Sequence, residues 1–162
     1  MAAVDFFLKM ENVPGESQDD KHQGEIDVFS FSWGVSNSGN AAIGGGQGVG
    51  KSVAQDFHFV CATQKSSPLL FQSCGNGDHV PKATFIARKA GKGQQEYLTI
   101  TLSDVLISSY QIGGSNAGEI MPTDQISVNC AKVEMEYKEQ KKDGSLGGST
   151  KKFYDFRANK WG

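Results

Sequence analysis

The sequence predicts a mainly β protein whose strands pair antiparallel, in a barrel or a sandwich. Three observations predict it. Apolar residues recur with period two along most of the chain, and clusters of Gly, Pro, Asn and Asp punctuate those runs. Between the runs there are no helical stretches of the kind that carry parallel crossovers. At 162 residues the chain is about one domain long, enough to bury a core without disulfide or metal support.

Taken in order, a first strand covers residues 4–11. The second, residues 25–35, sets Asp27, Phe29, Phe31, Trp33 and Val35 on one face and Ile26, Val28, Ser30, Ser32 and Gly34 on the other. Its bulky face predicts Phe29, Phe31 and Trp33 in the core. Further strands fall at 53–61, 83–90, 96–108, 126–137 and 152–157. In the 126–137 run the apolar set changes phase, from Ile126, Val128 and Cys130 to Val133, Met135 and Tyr137, which predicts a one-residue bulge near Ala131. One short helix is expected over about 67–75, with Ser67 as N-cap, Pro68 in the first turn and Gly75 as the left-handed C-terminal residue. Two segments, 37–51 and 140–150, are too long and too Gly-rich for ordinary hairpin turns.

Composition excludes several classes. Sixteen basic against 18 acidic residues leave a net charge of −2, which argues against a nucleic-acid partner. No apolar run approaches the roughly 18 residues of a membrane span, so no membrane partner is expected. The first 12 residues carry Asp5, Lys9 and Glu11 and lack the apolar stretch of a cleavable signal peptide. Cys61, Cys74 and Cys130 are odd in number and loosely spaced, which favours buried thiols over a disulfide framework or a zinc site. Glycine is the outlier, 20 residues against a usual share of about 7%.

Residues 45–52, GGQGVGKS, match the phosphate-loop pattern GxxxxGK[ST], but that motif needs a helix after its Lys-Ser. Here Val53, Phe57 and Phe59 belong to a β-type run, so a flexible Gly-rich loop is the better reading and a nucleotide-binding protein the alternative. His22, His58 and His79 lack a nucleophile partner or metal-ligand spacing, and each is expected as a surface or satisfied core histidine. The pairs Asp19/Asp20 and Glu25/Asp27 are expected as solvated charge. No catalytic residue, metal or cofactor is predicted. A monomeric β-barrel binding module is a further alternative.

Several blocks, taken in order, resemble a known family. They run from Val4-Asp5-Phe6-Phe7-Leu8-Lys9 through Val13-Pro14-Gly15-Glu16-Ser17, Gly24-Glu25-Ile26-Asp27-Val28 and Ser32-Trp33-Gly34. They continue with Gln55-Asp56-Phe57, Ser66-Ser67-Pro68-Leu69-Leu70, Arg88-Lys89-Ala90-Gly91, Glu96-Tyr97-Leu98 and Val105-Leu106-Ile107-Ser108-Ser109. In order and spacing these are similar to the haemolysin-coregulated proteins (Hcp), the tube subunits of type VI secretion systems. The resemblance spans 4–137, with a weaker match around 153–157.

That resemblance implies a small antiparallel β-barrel of two sheets with one short helix on its side. It implies a structural tube subunit and not an enzyme, a homohexamer whose rings stack into a hollow tube. The implied partners are sheath, spike and baseplate proteins, with effector cargo carried in the lumen. Such a subunit is cytoplasmic before assembly and then secreted without a cleavable signal peptide. The chain is expected to be one tube-subunit domain over 1–162 with no appended effector domain. With Phe29, Phe31 and Trp33 assigned to the core, Ser30 and Ser32 face the other way, and the resemblance places them on the bore. It also suggests that the Gly-rich segment (Asn37, Gly39, Gly44, Gly45, Gly46, Gly48, Gly50 and Lys51) orders against a neighbouring ring. The basic residues Lys141, Lys142, Lys151 and Lys152 lie where the family pattern assigns no role.

Overall fold

The computed structural model describes residues 4–37, 52–89, 93–118 and 121–162. Among the described residues, ten strands and one helix follow in order: β1 (Val4–Met10), β2 (Ile26–Ser32), β3 (Val35–Asn37), β4 (Ser52–Ala54), β5 (Phe57–Ala62), α1 (Ser66–Asn76), β6 (His79–Lys89), β7 (Glu96–Gly113), β8 (Thr123–Gln140), β9 (Leu146–Asp155) and β10 (Lys160–Trp161). Neighbours in the main sheet run β10-β9-β8-β5-β2-β1-β6-β7, and β7 pairs back to β8, closing six strands into a barrel. Closure removes the exposed strand edges that an open sheet would present. The strands β9 and β10 extend the sheet beyond β8, and β3 and β4 form a separate hairpin. The mainly β barrel with a single helix is the fold that the alternation and the family resemblance predict.

The barrel is filled by the apolar parity of each strand. Phe57, Phe59, Phe85, Ile26, Val105 and Ile126 are fully buried. Rings of Phe6 and Phe31 lie 5.1 Å apart and those of Phe57 and Phe85 5.5 Å apart, within the range of favourable aromatic pairing.

The second strand departs from simple alternation. Its register against β5 shifts between Val28 and Ser30, so Phe29 is an extra residue with no partner on β5. Ile26 and Val28 point into the core before the shift, and Phe31 packs against it afterwards. Phe29 therefore points outward and is 60% exposed, against the expectation that it joins the core. A bulge switches the parity of everything that follows it.

The phase change in β8 has another origin than the expected bulge near Ala131. On β7 the buried set also changes parity, from Ile100 and Leu102 to Val105 and Ile107. Register across the pair is unbroken here, with Leu102 opposite Val133 and Val105 opposite Cys130. Both strands turn together, and Asp104 takes a left-handed φ of +53° at the bend. The irregularity in this pairing lies at Ser108, between Ile107 and Ser109.

Several boundaries also differ: β6 starts at His79, β7 runs to Gly113, β8 covers Thr123–Gln140 and β9 ends at Asp155. The run expected as one strand at 53–61 divides into β4 and β5. The C-terminal segment 140–150 is mostly strand, since β9 begins at Leu146 and leaves a short turn. The helix starts at Ser66 after Lys65, and Gly77 rather than Gly75 takes the left-handed C-terminal conformation, its N–H bonded to the Ser73 carbonyl at 3.0 Å. Ser67 does not cap. Its hydroxyl accepts from the Gln64 N–H at 2.9 Å and donates to the buried carboxylate of Asp124. Asp124 also accepts from Thr63 Oγ1 at 2.8 Å and Tyr110 Oη at 3.1 Å, which ties the start of the helix to β8 and β7.

The connection between β1 and β2 lies over the outer side of β1 and β6. Gly15 admits it, because a Cβ there would sit 2.3 Å from the Glu25 carbonyl oxygen. Asp19 accepts from both terminal nitrogens of the buried Arg88 at 3.0 and 2.6 Å, and Asp5 accepts from Arg88 Nη2 at 3.1 Å. His22 stacks on Phe7, with ring centroids 4.2 Å apart. Its two ring nitrogens face carboxylates of Glu25 and, at 2.7 Å, Glu96. Asp19 and Glu25 are thus not solvated charge: each binds a buried cationic or imidazole group, while His22 takes the satisfied core placement of the two, surface or core, expected for it.

Candidate assembly surfaces

The outward parity of β2 after its bulge places Ser30 and Ser32 side by side on an exposed strip. Register extends that strip across three more strands. Ser32 lies opposite His58 on β5, His58 opposite Ser127 on β8, and Ser127 opposite Ser109 on β7. One step along, Ser30 lies opposite Val60, Val60 opposite Gln125, and Gln125 opposite Gln111. These two rows contain four serines, two glutamines, one histidine and one valine, with no Lys, Arg, Asp or Glu. His58 and Ser127 also bond across the strands at 3.0 Å. These rows offer hydroxyls and amides, little apolar area and no fixed formal charge, so they present no adhesive apolar patch.

Sequence reasoning found Ser30 and Ser32 but missed Val60, Gln111, Gln125, Ser109, Ser127 and the place of His58 beside them. Alternation on each strand marks these residues as outward, but their union into one face depends on register.

Asn37 ends β3 opposite Ser52 on β4, so the hairpin frames both ends of the Gly-rich segment. Gly39, Gly44, Gly45, Gly46, Gly48, Gly50 and Lys51 lie outside the described residues. Ser52 opens a strand where a phosphate loop requires a helix, which removes the structural context for the nucleotide-binding alternative.

The basic C-terminal hairpin is partly engaged. Lys151 pairs with Glu134 at 3.3 Å, and Lys132 Nζ sits 4.5 Å from the Phe153 ring centroid. Cys61 is buried and Cys74 and Cys130 half-buried, all as free thiols. Burial pushes the Cys61 thiol up to about 12 and the Cys130 thiol up to about 11. Both are poor nucleophiles where they sit.

A family model described as "Type VI secretion system effector, Hcp" matches residues 7–137. The curated relative "Protein hcp1" of Pseudomonas aeruginosa is 46% identical over 159 residues, covering 97% of this chain and 98% of that one. Among solved structures, Hcp1 from Salmonella typhimurium superposes with a TM-score of 0.84 at 34% identity, covering 99% of each chain. A structure titled as a type six secretion system protein superposes with a TM-score of 0.93 at 26% identity, covering 99% of this chain and all of that one.

Proposed function

The chain belongs to the Hcp family of type VI secretion systems, and on that premise we propose that it is a structural tube subunit and not an enzyme. Six copies close into a ring, rings stack into a hollow tube, and the uncharged polar face built on Ser30 and Ser32 lines the bore. That face is the observation that carries the reading: two rows in register across four strands, free of charged side chains, as a passage for unlike cargo requires. In this reading the subunit is made in the cytoplasm and leaves the cell as part of the tube, with sheath, spike and baseplate proteins as partners. The segment from Asn37 to Lys51, held at its ends by the β3–β4 hairpin, meets the adjacent ring.

Ser32→Gln tests the bore. The change adds volume on an exposed face and none to the core, so rings form as in the parent by electron microscopy, while recovery of lumen-carried effector falls several-fold. Unchanged cargo recovery with intact rings refutes a cargo role for Ser32. Loss of rings places Ser32 in a packed contact between subunits instead.

A further inference from the structure

Two surfaces outside the polar face are each incomplete and fit one another. The first surrounds Phe29, which the β2 bulge turns outward. Phe29 borders an open depression of about 530 Å³ with Val4, Asp5, Phe6, Asp27 and Val28. The cation nearest these carboxylates, Arg88, already serves Asp19 and Asp5. Partial burial first, and then the nearby Asp19 and Asp5 carboxylates, push the Asp27 carboxyl above its ordinary value. An exposed aromatic ring thus stands beside a carboxylate that Ser17 hydrogen-bonds and Arg88 acts on only through its field, with no ion pair of its own among the described residues.

The second surface lies where β8 and β9 run beyond the barrel. Trp33, Val133, Met135, Tyr154 and Trp161 line an apolar groove of about 190 Å³, and Lys152 stands in its wall. The ammonium of Lys152 has no ion-pair partner among the described residues, unlike that of its neighbour Lys151. The groove is open, with Met135 and Trp161 both well exposed. An apolar cavity of about 150 Å³ holds a benzene molecule, so this one has room for a phenyl ring.

We propose that a second copy of this chain fills the groove, inserting Phe29 against Trp33, Met135 and Trp161 and setting Asp27 beside Lys152. This rests on the ring-forming reading above and specifies its contact. Ring and groove are different patches of one chain, so the contact is heterologous, and repetition around a closed rotation generates a ring rather than a pair. The aromatic anchor supplies the desolvated centre of the contact and the opposite charges fix its register.

The test is sedimentation velocity over a concentration series, with the melting point of the dilute chain as a folding control. Phe29→Ser removes a side chain that no core contact holds. It raises the concentration at which rings form by about tenfold or more, with the monomer's melting point unchanged. Asp27→Lys and Lys152→Glu each weaken assembly, and the two together recover most of the parent's behaviour. Rings from Phe29→Ser at the parent's concentration overturn the proposal while leaving ring formation itself intact. A charge-swapped double variant no better than its singles overturns it as well, independently of how Phe29→Ser folds. A parent chain that stays monomeric at every concentration sinks the ring reading and this contact with it.

Discussion

Arg88→Gln removes the cation that holds the β1–β2 connection against the barrel. The guanidinium is 2% exposed and makes three hydrogen bonds to Asp19 and Asp5, with its carbon 4.8 Å from the Phe7 ring centroid. Breaking a buried pair by deleting one partner costs about 3–5 kcal/mol. Asp19 and Asp5 keep 21% and 35% of their side-chain area in water. Hydration relieves them after the change, which puts the loss near 3 kcal/mol, a large share of the 5–15 kcal/mol typical of a domain. The same ion pair contributes to the acid limb of stability, alongside Asp104 and Asp143, whose carboxyls are also held below the ordinary range by hydrogen bonds. Hydrogen bonds to Arg88 hold the Asp19 carboxyl down to about 2. A carboxyl depressed by folding contributes its stability fully above its unfolded value near 4, and that contribution disappears as pH falls through 2. With part of the group exposed and screened, this amounts to roughly 1–2 kcal/mol. Asp27 works the other way, because its raised carboxyl favours the folded state as pH falls from neutral toward 4. Parent stability therefore rises slightly on mild acidification and falls below pH 4. In Arg88→Gln the fall attributable to Asp19 is missing. Urea unfolding followed by tryptophan fluorescence between pH 2 and 7, at concentrations where the chain is monomeric, measures both effects. A variant within 1 kcal/mol of the parent at pH 7, or one with the parent's full acid limb, refutes the account.

Gly15→Ala forces a methyl group toward the Glu25 carbonyl, a backbone atom that cannot swing aside; it should cost about 1–3 kcal/mol in the same urea experiment. Asp124→Ala leaves the hydroxyls of Thr63, Ser67 and Tyr110 without their shared acceptor. A loss of about 3 kcal/mol is expected, with Asp124→Asn recovering part of it. Thiol labelling of the native chain at pH 8 should modify Cys74 first and Cys130 slowly. Cys61 should react only on unfolding, since it is wholly buried and its thiol is pushed up to about 12; labelling of Cys61 at the rate of Cys74 contradicts the buried placement.

What the sequence by itself determined is the part of the structure that depends on near neighbours. Side chains alternate across a strand because of local backbone geometry, so the strands around Phe57 and Phe59, Leu98 to Leu102 and Ile126 to Val128 were legible one run at a time. So was the outward direction of Ser30 and Ser32. Only the tertiary structure decided which way Phe29 points, because the bulge exists only relative to β5, where Val28 pairs with Cys61 and Ser30 with Val60. Likewise the phase change beside Ala131 looks like a bulge from β8 alone, and becomes a shared bend once β7 is seen to turn with it. Asp19 and Glu25 resembled solvated charge because the groups that engage them meet only on folding. Arg88 lies 69 residues from Asp19, and His22, held by Glu25, reaches Glu96 across 74 residues. The polar face follows the same rule: each strand presents its own serines and glutamines, but barrel closure sets the register that joins four strands into one surface.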